Sequence, residues 1–129
     1  QDDLLKPNHL NPDLVRWELR RVWVVEATLR EGKRHVYSKR VFYLDEDSWA
    51  ALASDQYDAR GQLYRVGLAY MAPSYDLPAP YTDMFSHYDL VGRNHHVTGF
   101  IAETGGLHHT KPLADREWTA DSLAGAGVR

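Results

Sequence analysis

Cysteine is absent from the chain, which excludes disulfides, thiolate metal sites and a cysteine nucleophile. The compartment stays open, because a reduced cytosolic protein and a disulfide-free periplasmic one look alike in this respect. No run of about 18 apolar residues occurs, so no segment reads as a membrane-spanning helix. A basic, then apolar, then small-residue leader is also missing. Gln1-Asp2-Asp3 has the character of a precursor's interior or of a processed end. Nor is there a basic excess: 15 Lys and Arg against 18 Asp and Glu give a net charge of −3. Such a surface supplies no field to hold a phosphate backbone, and nucleic acid is not an expected partner.

Catalytic signatures are lacking too. The chain has no nucleophile elbow, no HExxH, no phosphate-cradling glycine loop and no GxGxxG. Asp55, Asp58 and Asp89 with a nearby histidine would offer acid–base chemistry, but any protein of six strands yields such combinations by chance. The expectation is a protein that is not an enzyme, carries no catalytic residues and needs no cofactor.

What is present is ordinary in bulk and rich in rings. The 129 residues suit a single domain with one core, and 43% hydrophobic with 26% charged residues argues against disorder. Eight tyrosines and four tryptophans favour pleated strands and also suit the walls of apolar pockets.

The stretch Leu14 to Leu29, LVRWELRRVWVVEATL, places Val15, Trp17, Leu19, Trp23, Val25, Ala27 and Leu29 on alternate positions, the period of a long strand with one buried face. Before it, residues 1–13 carry Pro7, Asn8, Asn11, Pro12 and Asp13 and read as an extended lead-in. After it come a turn at Arg30 to Lys33, a strand from His35 to Leu44 and an acidic turn at Asp45 to Ser48. Trp49 to Tyr57 is read as a strand despite helix-forming alanines behind Ser48. A turn at Asp58 to Gly61 leads to a strand from Gln62 to Ala72. Pro73 to Asp83, with three prolines, is expected to be a loop. Met84 to Val91 and His95 to Glu103 complete about six strands. A polar loop at Thr104 to Lys111 leads to a tail with Trp118 and a short helix capped by Thr119, ended by Gly125 and Gly127. Sheet is thus expected over 14–103, with loop and tail over 104–129.

If each early turn closes a plain hairpin, pairing arithmetic puts Trp23 opposite Arg40, Arg40 opposite Ala53, and Ala53 opposite Val66. One face then holds Trp17, Leu19, Trp23, Val25, Val36, Phe42, Leu44, Trp49, Tyr57, Tyr64, Val66, Leu68 and Tyr70. It also holds Arg21, Arg40 and Asp55, placed to form a charged cluster among aromatics. The opposite face carries Arg16, Glu18, Arg20, Glu26, Lys39 and Arg65, with a smaller apolar patch from Val22, Val24, Val41 and Leu52. A single β-bulge would flip a whole strand.

Two alternatives stay open on the tryptophan face. Arg21 and Arg40 are either cation–π partners that hold the sheet or cations at a cavity that meet an anionic ligand group. The aromatic stripe is likewise core or ligand wall, which makes Trp17, Arg21, Trp23, Arg40, Phe42 and Tyr64 the candidate ligand-binding residues. His95-His96 and His108-His109 occur as pairs, with His87 on the neighbouring strand. Adjacent strand residues point to opposite faces, so no metal site is expected from them.

The segments HLNPDLVRWELRRVWVVEATL, GKRHVYSKRVFYLDEDSW and DQYDARGQLYRV, spread over His9 to Val66, together with the tail WTADSLAGAGVR, resemble a proteobacterial family of unknown function grouped with LolA/LolB-like outer-membrane lipoprotein-sorting proteins. From His87 to Leu113 the likeness is limited to strand spacing and Tyr88 to Leu90. Ala50, Ala51 and Ala53 stand where larger aliphatics are expected. The resemblance implies a mainly β fold, an antiparallel meander forming part of an incomplete β-barrel around an apolar cavity, with a short C-terminal helix. It also implies that the single β-rich domain is the C-terminal portion of a longer periplasmic protein, or one at the periplasmic face of the outer membrane. No site residues are established for that family. The function it implies is a non-enzymatic carrier or binding domain for lipid-like or hydrophobic ligands, with lipoprotein sorting as one form of it. The other reading is an assembly module, whose aromatic face docks a missing N-terminal portion of the same protein, a second copy, or an envelope transport protein.

Overall fold

In the structure, a computed structural model that describes residues 2–126, six strands form one antiparallel sheet in chain order: β1 (Val22–Thr28), β2 (Lys39–Asp45), β3 (Ala51–Tyr57), β4 (Leu63–Ser74), β5 (Ala79–Asp89) and β6 (Asn94–Gly99). The meander does not close, since β1 and β6 are its two edges. Short 3-10 turns lie at Pro12–Leu14, Ile101–Thr104 and Asp115–Trp118, and a helix, α1 (Ala120–Ala126), stands at the C-terminal end. Thr119 caps α1 as its sequence suggests, its Oγ1 accepting from the Ser122 N–H at 3.3 Å. Gly125 lies inside the helix rather than ending it; the stop expected at Gly127 lies outside the described residues. No described helix is long and apolar enough to cross a membrane.

The first strand is shorter than its pattern. Val22 pairs with Asp45, the last residue of β2, and beyond one further bond, from the Glu46 N–H to the Arg21 carbonyl at 3.3 Å, the residues before it have no strand neighbour to complete a ladder. Alternation persists from Val15 to Arg21 without a sheet to receive it, and Leu19 is fully exposed. At the other extreme, Pro73 to Asp83 is not a loop. Pro73 sits opposite Pro80 and Ser74 opposite Ala79, so β4 and β5 continue to a short tip. Two prolines facing each other need no N–H at a non-hydrogen-bonded pair, and that is how the ladder tolerates them.

Register decides the faces. Between β1 and β2 the pairing is Trp23 with Leu44, Val25 with Phe42 and Ala27 with Arg40. This is four residues from the plain-hairpin expectation, because the connection from Leu29 to Ser38 is longer than a turn. A four-residue slip preserves the face. At β2–β3 a bulge leaves Leu52 unpaired between Ala51, opposite Leu44, and Ala53, opposite Tyr43. The extra residue reverses the rest of β3. Ser54 and Gln56 therefore join Phe42 and Arg40, while Asp55 moves to the other side. The change carries through β4, where Gln56 pairs with Arg65 and Ser54 with Gly67. Val66, Leu68, Tyr70 and Tyr57 thus leave the tryptophan face, and Arg65 joins it.

The buried strand side chains lie on the face opposite Trp23. Val41, Asp45, Met84 and Ser86 are there, with Tyr70 Oη 2.9 Å from Ser86 Oγ and 3.5 Å from Tyr88 Oη. Burial, first of all, pushes the Tyr70 phenol up to about 12. The chain before β1 is anchored at two corners of that same face. The Asn8 amide, oriented to donate, meets the Arg93 carbonyl at 2.8 Å, and Arg20 grips Asp45 at 3.1 and 3.2 Å. Leu10, between those anchors, is 4% exposed. The core expected on the tryptophan face is therefore on the other, and the tryptophan face is left open.

Candidate functional site

Two rows of side chains cross the open face. Directly opposed pairs give the first as Ala27, Arg40, Gln56, Arg65, Asp89 and Asn94, and the second as Val25, Phe42, Ser54, Gly67, His87 and His96. Between them lies a cleft of ≈ 400 Å³ whose lining includes Arg40, Phe42, Gln56, Arg65, His87 and His96. Gly67 keeps its floor low: a Cβ there would stand 2.8 Å from Ser54 Oγ and 3.3 Å from His87 Nδ1. The first would force Ser54 to shift and the second is tight, so the glycine serves close approach rather than a turn.

One wall is built around Tyr37, delivered by the long β1–β2 connection. Its ring lies under the Arg40 guanidinium at 4.8 Å, and its hydroxyl accepts from Arg65 at 2.9 Å. Tyr64 is the unpaired residue of a bulge between β3 and β4, since Tyr57 pairs with Leu63 and Gln56 with Arg65. The bulge turns Tyr64 beside Arg65, whose guanidinium stands 4.6 Å from the Tyr64 ring and donates to its hydroxyl at 3.0 Å.

The charges in the cleft are unequally committed. Arg65 forms an ion pair with Asp89 at 3.0 Å. The hydrogen bonds to Tyr37 and Asp89 hold Arg65 above its ordinary value. Asp89 is held below the usual carboxylate range by the Gly92 N–H first and by Arg65 after it. That pair is electrically closed. Arg40 has no carboxylate partner among the described residues; its contacts are the Tyr37 ring and His35 Nε2 at 3.3 Å. His87 and His96 face each other across β5 and β6 and bring no negative charge.

From Arg40 the face turns apolar along β2. Phe42 pairs with Val25 and Leu44 with Trp23, and Trp23 stacks on Trp49, with ring centroids 6.4 Å apart and planes 13° apart. Trp23 and Trp49 are 56% and 66% exposed. Arg40 and Leu44 are four strand residues apart, about 13 Å at ~3.3 Å per residue. A cationic cleft thus opens onto an aromatic shelf of chain-like length.

Of the six residues singled out from the sequence, Arg40 and Phe42 line the cleft, Tyr64 braces its rim, and Trp23 forms the shelf. Trp17 and Arg21 are not brought to it. Both precede β1, and Arg21 is turned to Glu46 at 2.9 Å with its side chain 82% exposed. The expected cluster of Arg21, Arg40 and Asp55 does not form, because the Leu52 bulge sends Asp55 to the other face, where Tyr43 donates to it at 2.8 Å. That bond, with burial, raises the Tyr43 phenol. Sequence reasoning missed Tyr37, Gln56, Arg65, His87, Asp89, Asn94 and His96. Alternation within a strand was available for Gln56, Arg65, His87, Asp89 and His96, but their common face depends on bulges that alternation does not show; Tyr37 is brought in by the β1–β2 connection, and Asn94 fell between two expected strands.

The family model described as a protein of unknown function (DUF1329) matches residues 1–124. An uncharacterized protein of Pseudomonas aeruginosa is 40% identical over 128 residues, which are 98% of this chain and 28% of that protein. The chain therefore spans under a third of the curated relative's length. Among solved structures, a Vibrio parahaemolyticus domain provisionally described as an outer membrane lipoprotein-sorting protein domain superposes with a TM-score of 0.50 at 16% identity, over 81% of this chain and 42% of that one. A DUF1329 family protein from Desulfovibrio piger gives a TM-score of 0.49 at 16% identity, over 79% of this chain and 40% of that one. The Vibrio domain shares the fold; at that identity it shows nothing further.

Proposed function

Because this chain belongs to the DUF1329 family of proteins of unknown function, we propose from its open face that it is a non-enzymatic binding or carrier domain for anionic, lipid-like molecules in the bacterial envelope. One observation carries the reading. A cleft whose uncommitted cation is Arg40 runs directly into an exposed stripe of Phe42, Val25, Trp23 and Trp49. An amphiphile lying along β2 would place its head at Arg40 and its chain over the tryptophans, removing apolar surface from water at about 25 cal/mol per Å². The likeness to the Vibrio sorting domain supports a place in the periplasm or at the periplasmic face of the outer membrane.

Native mass spectrometry of the protein as isolated, followed by organic extraction, tests this. An acidic amphiphile at near-equal stoichiometry is expected, and Arg40→Ala should carry about tenfold less of it, the loss of one charge-assisted contact. A ligand-free mass for both proteins would defeat the reading.

A second reading draws on a different observation. Leu19 and Trp17 stand on the extended, unpaired run before β1, exposed, beside a free strand edge of the kind that accepts another strand. In that reading the aromatic face docks the remainder of a longer protein, a second copy or an envelope partner. Sedimentation of the isolated chain over a wide concentration range would favour it if a stable dimer formed without ligand.

A further inference from the structure

We infer that the ligand's head is an oxyanion, a carboxylate or a phosphate, held jointly by Arg40 and the cross-strand pair His87 and His96, and bound more tightly as those histidines take up protons. The inference rests on the binding-domain reading above and names residues and a ligand chemistry for it. Three features of the cleft converge. Asp89, the acid among its lining residues, is consumed by Arg65 and the Gly92 N–H. The neutral lining groups, Gln56 and Asn94, supply amides able to donate to oxygen. The remaining ionisable lining groups besides the tyrosines, Arg40, His87 and His96, are all of the kind that is cationic or becomes so.

The geometry explains why the histidines act together. His87 and His96 are directly opposed on β5 and β6, and on one face opposed side chains stand about 5 Å apart at Cβ. Gly67, on the other side of His87, has no side chain of its own, so the His87 ring and Ser54 Oγ close in over it. Imidazole is the group whose charge changes between about pH 5 and 8. The charged and titratable groups that line the cleft with this pair are Tyr37 from the β1–β2 connection, Arg40 from β2, Arg65 from β4, and Tyr88 and Asp89 from β5, while β3 presents the neutral Gln56. Among the described lining residues no uncommitted acid remains to answer two added protons in the cleft that Arg40 shares, so an incoming anion does.

The test uses 1-decanesulfonate, whose charge is constant over the pH range of the histidines, with 1-decanol as the uncharged chain. Binding is read by calorimetry below micelle-forming concentrations at about pH 5.5 and about pH 8. Wild type is expected to bind the sulfonate about tenfold or more tightly at the lower pH, since each nearby charge contributes on the order of a few-fold. The double variant His87→Gln with His96→Gln should lose that difference between the two pH values. Both side chains are exposed, and far-UV circular dichroism checks that the fold is kept. Decanol should bind all proteins alike and without pH dependence. Decanoate against decyl phosphate at neutral pH then separates a fatty acid from a phospholipid-type head, and preference for either agrees with the inference. A double variant that retains the pH dependence would overturn it and leave the anionic carrier reading standing; decanol binding without sulfonate binding would overturn it too, and would reduce the carrier reading to one for uncharged chains. Binding of neither compound would defeat both.

Discussion

Asp45 shows how one carboxylate holds two ends of the molecule. It is 3% exposed, accepts from Arg20 and from the Ser48 hydroxyl at 2.7 Å, and is lowered from 3.8 to about 2, chiefly by Arg20 and then by Ser48. A carboxyl depressed on folding contributes stability that is present above its unfolded value and is lost as pH falls through its folded one. The window is therefore from about 3.8 down to about 2. The contribution is about 1–2 kcal/mol, since Arg20 is partly solvated and screening trims it. Asp45→Asn should lower stability at neutral pH by that amount and flatten the acid limb of a denaturation series in that window. An unchanged acid limb would show that other carboxylates govern acid unfolding.

Trp49 poses a different question at the same scale. Its φ is 60, in the left-handed region that costs a non-glycine residue about 1–2 kcal/mol. The Asp45–Ala50 turn requires it, with the Trp49 N–H bonded to the Asp45 carbonyl at 2.9 Å. What the tryptophan returns is its stack on Trp23, about 0.5–1.5 kcal/mol. These nearly cancel. Trp49→Gly should leave the unfolding free energy within about 1 kcal/mol of wild type, yet weaken binding of a ten-carbon amphiphile several-fold. Full retention of affinity would remove Trp49 from the proposed shelf.

At the scale of elements, the strands differ in how well they are tied. β4 and β5 share the longest ladder, ten opposed pairs from Arg65 with Asp89 to Ser74 with Ala79. The run from Val15 to Arg20 has no ladder, and its ties are Arg20 on Asp45, with Arg21 next to it held by its side chain on Glu46 and by its carbonyl on the Glu46 N–H. Amide hydrogen exchange should accordingly be fastest in Arg16 to Arg21 and slowest in the middle of β4 and β5. Protection of Arg16 to Arg21 equal to that of β4 would reveal a partner strand in solution, the outcome the assembly reading requires.

The elements also show what was legible. The β2 strand was legible from alternation, though it begins at Lys39 rather than His35; β3 was legible only from its place between two turns, against its helix-forming alanines, and α1 from Thr119 and the alanines after it. Leu14 to Arg21 was misjudged because alternation reports side-chain facing and says nothing of a neighbour. Pro73 to Asp83 was misjudged because proline loses only the bonds that a hydrogen-bonded pair would make. The site was half legible: Arg40, Phe42, Tyr64 and Trp23 share the face that hairpin arithmetic gave them. Arg65, His87 and His96 do not follow from it, since the Leu52 bulge reverses everything downstream.

For the whole molecule, the consequence is a sheet with one open face and one face that is covered in part, Val41 and Met84 buried there and Val24 exposed. Leu10, Val41 and Met84 are the apolar side chains buried below a tenth of their surface among the described residues, few for a sheet of this size. A ligand on the open face adds burial that the chain itself does not supply. Saturating 1-decanesulfonate at about a hundredfold over its dissociation constant should therefore stabilise the fold by about 2.7 kcal/mol. A thermal midpoint that stays still or falls would mean that the amphiphile binds the unfolded chain.

By itself the sequence determined the class and the ingredients: alternating apolar and polar positions compel strands, turn residues space them, and rings and arginines share one side of β1 and β2. Those are local properties, set within a few residues by side-chain period and backbone preference. Only the tertiary structure decided which face would be core, since that depends on inserted single residues at Leu52 and Tyr64 and on where the lead-in anchors. The same long-range choice brought Arg40, His87 and His96 to the lining of one cleft, residues 56 positions apart in the chain from first to last and on three different strands.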